Sequence, residues 1–149
     1  MVCLGNICRS PIAEGIMQAK LDHYGIGGEV DSAGILSYHA GCSPDERAVS
    51  IARKYNVDIG GQVARQLKRG DFDTFDVIFA MDRDVFEAVK KAAPSQHAGK
   101  VHLFLEYAGA TGSEVPDPYY EGGLAFNRVF ALIDEACDRI IHKWYPHLK

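Results

Sequence analysis

Phe75-Asp76-Val77-Ile78-Phe79-Ala80-Met81 is a nearly continuous apolar run, the pattern of a strand covered on both faces. Asp82 follows it as a candidate cap for a helix carrying Val85, Phe86 and Val89 and ending before Pro94. Val101-His102-Leu103-Phe104-Leu105 reads as a second buried strand. A strand with no solvent face requires layers above and below it. Strands that alternate with helices meet that requirement as a parallel sheet flanked by helices on both sides.

The rest of the chain keeps this alternation. Ser10 reads as an N-cap with Pro11 at the first helical position, and Ile12, Ile16 and Ala19 recur at helical spacing until Gly25. Glu29-Val30-Asp31-Ser32 is a short candidate strand ending in Ala33-Gly34. Ser43-Pro44-Asp45-Glu46 has the form of a capping box ahead of Val49, Ile51 and Ala52. After a long polar loop, Glu106 to Gly123, a final helix presents Phe126, Val129, Phe130, Ile133, Cys137, Ile140, Ile141 and Trp144 as one broad apolar stripe. No linker, repeat or low-complexity tract interrupts residues 1–149, so a single α/β domain is expected.

Composition excludes several classes of function. With 47% apolar and 24% charged residues, a chain of 149 residues is rich enough to fold without help. Its net charge of −4 offers no basic face, so nucleic acid is not an expected partner. No apolar run reaches the roughly 20 residues that span a bilayer, and the first residues carry no signal segment. A cytoplasmic protein with no membrane partner is expected. Cys3, Cys8, Cys42 and Cys137 form no C-x-x-C pair, which suits free thiols in a reducing compartment, with Cys42 and Cys137 as packing residues. The six histidines lack ligand spacing, so a metal site is not expected.

The chemistry concentrates in Cys3-Leu4-Gly5-Asn6-Ile7-Cys8-Arg9-Ser10-Pro11, at the junction between a first strand and a first helix. In open parallel sheets ligands bind beyond the carboxyl ends of the strands, where such loops gather. Five residues between Cys3 and Arg9 are enough to wrap backbone N–H groups around one point, towards which the helix also directs its positive end. An anion belongs there. A sulfur facing this field is favoured as thiolate, which makes Cys3 the expected nucleophile. The planar fork of Arg9 can grip two phosphoryl oxygens together, and Ser10 can donate to the departing sulfur. Gly5 is expected for a backbone shape closed to other residues, and Asn6 for a left-handed one.

A second constellation, Glu114-Val115-Pro116-Asp117-Pro118-Tyr119-Tyr120, complements the first. An alcohol or phenol oxygen leaves poorly as an anion, so phosphoryl transfer from it to Cys3 needs a proton donor on the far side of phosphorus. Asp117, between two prolines, is the candidate, and it would later take a proton from water. Tyr119 and Tyr120 could flank an aryl phosphate, with Tyr38 and the exposed sides of Leu4 and Ile7 completing an apolar slot.

Val2 to Glu14, V-C-L-G-N-I-C-R-S-P-I-A-E, resembles the active-site signature of the low-molecular-weight protein tyrosine phosphatases. The likeness continues through Asp31-Ser32, Ser43-Pro44-Asp45 with Arg47, Ala64-Arg65-Gln66, Phe75-Asp76 with Met81-Asp82, and Asp117-Pro118-Tyr119-Tyr120. It implies a four-stranded parallel sheet, no cofactor, and hydrolysis of tyrosine-phosphorylated proteins to inorganic phosphate through a cysteinyl-phosphate intermediate. It further implies that Asn6, Ser10 and Ser32 brace the loop, and that Cys8 can trap an oxidised Cys3 as a reversible disulfide. Two departures stand out. Only Met1 and Val2 precede Cys3 where the family has a longer apolar strand, so a very short first strand or a late recorded start is expected. Gln62 stands where relatives often have histidine, two positions before Ala64-Arg65.

Two other functions compete. A thiol-dependent arsenate reductase shares such a loop but needs further cysteines, and residues 60–100 contain none. A module that binds phosphotyrosine without turnover is favoured only by the short segment before Cys3.

Overall fold

The computed structural model describes residues 1–110 and 113–148. It contains a four-stranded sheet in the order β2-β1-β3-β4, with every neighbouring pair parallel. Strand β1 is Val2–Cys3, β2 is Ala33–Gly34, β3 is Ile78–Ala80 and β4 is Val101–Leu103. The helices are α1 (Arg9–His23), α2 (Glu46–Lys54), α3 (Asp71–Thr74), α4 (Arg83–Ala92), α5 (Phe104–Tyr107) and α6 (Gly123–Trp144), with a 3₁₀ segment at Ser95–Lys100.

Side-chain alternation along the strands divides the core in two. Cys3 and Phe79 point towards α1 and α6, joining Ile12, Ile16, Phe126, Val129, Ile133 and Ile140. Val2, Ile78, Ala80 and Val101 point the other way, against Phe72 of α3 and Val85 and Val89 of α4. Both faces of the sheet are therefore covered, as the apolar run at residues 75–81 requires. The register pairs Val2 with Ala33 and with Ala80, which makes β1 an inner strand. The chain leaves the carboxyl end of β1 between two neighbours that diverge around it, the place where a parallel sheet opens a crevice.

Several boundaries differ from the sequence expectation, each for a local reason. Ser10 is not the cap of α1. The helix begins two residues earlier, at Arg9, Cys8 occupies the cap position without a side-chain bond, and the Ser10 hydroxyl is engaged with the loop instead. Pro11 still lies in the first turn, where a missing N–H costs nothing. Asp45, not Ser43, caps α2, its carboxylate accepting the Arg47 N–H at 2.8 Å. The expected strand running from Glu29 to Ala33-Gly34 is shortened to its last two residues, Ala33–Gly34, while the Asp31 and Ser32 side chains engage Arg65 and Glu14. Phe104 and Leu105 belong to α5 and not to β4. Cys42 is exposed, so it is not a packing residue, whereas Cys137 is fully buried. Part of the expected 106–123 loop, Thr111 and Gly112, lies outside the described residues.

Candidate active site

The turn from β1 into α1 is built around one backbone irregularity. Asn6 has φ 59°, in the left-handed region, and it is 2% exposed. Its side chain compensates for the strain with three bonds: Nδ2 donates to Ser10 Oγ (2.8 Å) and Ser32 Oγ (2.9 Å), and Oδ1 accepts the Arg65 N–H (3.0 Å). Ser32 in turn donates to Glu14 at 2.7 Å. Burial pushes the Glu14 carboxyl up, against the opposing pull of that hydroxyl. Gly5 serves a different purpose from the one expected. Its φ is ordinary, but a Cβ there would come within 3.1 Å of the His39 ring.

Inside this brace Cys3 is 3% exposed, with its sulfur 3.0 Å from Ser10 Oγ and 3.3 Å from the donating N–H of Asn6. Among the described hydrogen bonds, none uses the backbone N–H of Gly5, Ile7 or Cys8. Helix α1 has neither a side-chain cap nor an acidic residue in its first turn, so its orphan N–H groups and positive end face the same point. Cys8 is buried in the loop, and burial drives its thiol far above the ordinary thiol range.

Arg9 completes the cradle in an asymmetric way. Its Nη1 donates to Asp82 Oδ2 (2.6 Å) and the Val115 carbonyl (3.0 Å), which fixes one side of the guanidinium. Its Nε is buried without a partner, and Nη2 has a carboxylate only at 3.8 Å, on Asp117. Two parallel N–H donors on an otherwise fully buried arginine are thus uncommitted. A buried charge-assisted donor without a partner is costly, so such a pair is the signature of an anion site. Asp82 does double service, since its other oxygen caps α4 through the Val85 N–H at 2.8 Å.

Asp117 is exposed, with Oδ2 3.8 Å from Arg9 Nη2 and Oδ1 accepting the Tyr119 N–H at 3.1 Å. Its loop is tied to the sheet upstream by the Val115 N–H on the Met81 carbonyl (2.9 Å) and by Glu114 accepting the Arg83 N–H (2.6 Å). The expected apolar slot is only partly assembled. Leu4 is 43% exposed and Ile7 half-buried beside it, and Tyr119 is half-buried, but Tyr38 and Tyr120 are almost fully exposed. His39 joins them. Its ring lies 4.8 Å from Tyr38 and 6.1 Å from Tyr119, which packs on Tyr120 at 4.8 Å.

The structure therefore brings Cys3, Asn6, Arg9, Ser10 and Ser32 together, with Asp117 3.8 Å from Arg9, and adds Glu14, His39, Arg65 and Asp82. Gln62 donates from Nε2 to the Pro11 carbonyl at 3.0 Å, tethering the start of α1. Among the described residues no cluster of side chains could hold a metal ion, and no helix is long and apolar enough to cross a membrane.

Comparison with known proteins agrees with this geometry. A family model described as low molecular weight phosphotyrosine protein phosphatase matches residues 1–146. The chain is 41% identical to low molecular weight phosphotyrosine protein phosphatase 2 of Drosophila melanogaster, over 92% of this chain and 85% of that protein. It is 37% identical to a low molecular weight protein-tyrosine-phosphatase of Bacillus subtilis, over 94% of this chain and 90% of that one. The crystal structure of a protein tyrosine phosphatase from Entamoeba histolytica superposes with a TM-score of 0.90 at 35% identity, covering 97% of this chain and 94% of that one.

Proposed function

Because the chain belongs to the low molecular weight phosphotyrosine protein phosphatases, we propose that the residues gathered at the β1–α1 turn divide the work of phosphotyrosine hydrolysis among them. The reaction passes through a cysteinyl phosphate. The loop N–H groups and the uncommitted Nε and Nη2 of Arg9 take the phosphoryl oxygens, whose charge grows in the transition state. Cys3 Sγ attacks phosphorus from the side opposite the tyrosyl oxygen. Asp117, protonated in the Michaelis complex, passes its proton to that oxygen as the P–O bond breaks. In the second step Asp117 accepts a proton from water, the water oxygen bonds to phosphorus, and inorganic phosphate leaves. Ser10 then donates to the sulfur as negative charge returns to it.

Asn6, Ser32 and Glu14 maintain the loop in the receiving conformation. Leu4, Ile7, Tyr38, Tyr119 and Tyr120 flank the aryl group, Gly5 and Cys8 belong to the loop that receives the phosphoryl group, and Cys8 can condense with an oxidised Cys3 to release water and form a disulfide. The substrates are tyrosine-phosphorylated proteins, and the compartment is the cytoplasm. The uncommitted donor edge of Arg9 beside the Cys3 sulfur is the observation that carries this reading. An arsenate reductase is not favoured, since residues 60–100 contain no further cysteine to carry a disulfide outward. Acid quenching of Asp117→Asn during turnover of 4-nitrophenyl phosphate, whose acidic phenol leaves without a proton donor, followed by mass spectrometry, is expected to find phosphate on Cys3. An adduct elsewhere, or none in the pre-steady state, would overturn the assignment.

A further inference from the structure

The downstream half of the Asp117 loop has one dominant anchor, and it comes from α2. Asp45 not only caps this helix but accepts the Arg47 side chain as a fork, from Nε at 3.0 Å and from Nη2 at 2.9 Å. Pinned in that way, the guanidinium turns its remaining donors outward. Nη2 donates to the Tyr119 carbonyl at 2.9 Å and Nη1 to the Glu121 carbonyl at 3.0 Å. The plane of charge also lies over the Phe126 ring, 4.5 Å from its centroid, so α6 supports it from behind. Its hydrogen bonds to Asp45 hold that carboxyl below the usual carboxylate range and keep it ionised as the base of the clamp.

Residues 119 and 121 follow Asp117 by two and four positions, and the Asp117 carboxylate itself is bonded to the Tyr119 N–H. With residues 114 and 115 fixed upstream, the segment bearing Asp117 is stretched between two supports. We propose that Arg47 is a positioning residue for proton transfer: by gripping the carbonyls of Tyr119 and Glu121 it sets where Asp117 meets the leaving oxygen, given that Asp117 is the general acid proposed above. Lysine would not substitute. An ammonium has no planar fork to engage Asp45 and two carbonyls at fixed angles.

A displaced general acid harms only the reactions that need it. A misplacement of about 1 Å can cost on the order of a hundredfold, and a loosened loop that still samples the right position would lose less. In single-turnover measurements, Arg47→Ala should slow phosphorylation of Cys3 by phenyl phosphate about tenfold while 4-nitrophenyl phosphate, with its acidic phenol, falls less than about twofold. Arg47→Lys keeps the positive charge but not the planar fork, and should show the same selective loss. Adding Asp117→Asn to either variant should cause no further loss with phenyl phosphate beyond that of Asp117→Asn alone, because both changes remove one function. Circular dichroism and thermal melts establish that each variant is folded.

Equal slowing of both substrates in both Arg47 variants, or losses that simply multiply in the double variants, would overturn the positioning role. If Asp117→Asn alone slowed both substrates equally, the general-acid assignment would itself fall, and that arm identifies the failure without reference to Arg47.

Discussion

Asn6 concentrates so many functions that its replacement has a calculable cost. The side chain makes three hydrogen bonds in a buried setting, each worth about 1 kcal/mol net, so removing them costs about 3 kcal/mol. Alanine must also adopt the left-handed backbone at φ 59°, which adds about 1 kcal/mol. Asn6→Ala should thus lose about 4 kcal/mol, which for a domain of this size lowers Tm by roughly 10 °C. Glycine accepts the backbone but not the hydrogen bonds, and it has more freedom to lose on folding. Asn6→Gly should therefore be more stable than Asn6→Ala by only about 0.5–1 kcal/mol. Urea unfolding of the three proteins measures both differences, and burst-phase kinetics report whether the loop still presents Cys3. A loss below about 1 kcal/mol in Asn6→Ala would refute the view that these bonds hold the loop. A glycine variant no better than alanine would refute the strain component.

Three further outcomes are expected. Arg9→Lys should lose at least about a hundredfold in kcat, because an ammonium drawn to Asp82 leaves no paired donors for phosphoryl oxygens; near-normal turnover would show that the donor edge is not used. Peroxide inactivation should be reversed by added thiol in the native protein and become irreversible in Cys8→Ala, and equal recovery of both would remove Cys8 from that role. Burial alone raises the Asp71 carboxyl, but hydrogen bonds from Arg65 and the Lys68 N–H outweigh it and the net displacement is downward. The unfolded chain then binds a proton more readily than the native one, so this stability is complete above the ordinary carboxylate range and lost as the pH falls below about 4. Asp71→Asn should be less stable by about 1–2 kcal/mol at pH 7, allowing for solvent screening, and the gap should close near pH 2 in urea titrations.

What could be read from the chain follows the range of the forces involved. Cys3, Asn6, Arg9 and Ser10 lie within eight consecutive residues, so their type and spacing already define a loop. The two-sided strand at 78–80 was equally legible, because burial on both faces leaves no polar position to obscure it. Asp82 was legible as a helix cap, but its hold on Arg9, like the roles of Arg65 and Arg47, was not, since these arise from contacts that cross 73, 59 and 72 positions of sequence. His39 carried no signal at all, for its place is fixed by the absence of a side chain on Gly5 and by Tyr119 approaching from another loop. The caps misled where two candidates competed. Ser10 and Ser43 both look like helix starts, but one hydroxyl is claimed by the Cys3 sulfur and the other is outbid by the Asp45 carboxylate.

The double attachment of Arg9 bears on discrimination. Its side chain is 2% exposed and anchored through Nη1 before any ligand arrives, so the rotamer entropy that a free arginine would surrender on binding, about 0.5–1.5 kcal/mol, has been surrendered in folding. A cradle that needs no rearrangement greets every phosphate group alike, whether it is still esterified to a tyrosine or is the released product. Affinity for the dianion is therefore a poor source of selectivity, and the free product should compete for the cradle. Choice among targets is left to the ring of side chains above it, where Tyr38 and Tyr120 stand almost wholly in solvent, and to the step at which a proton must be delivered.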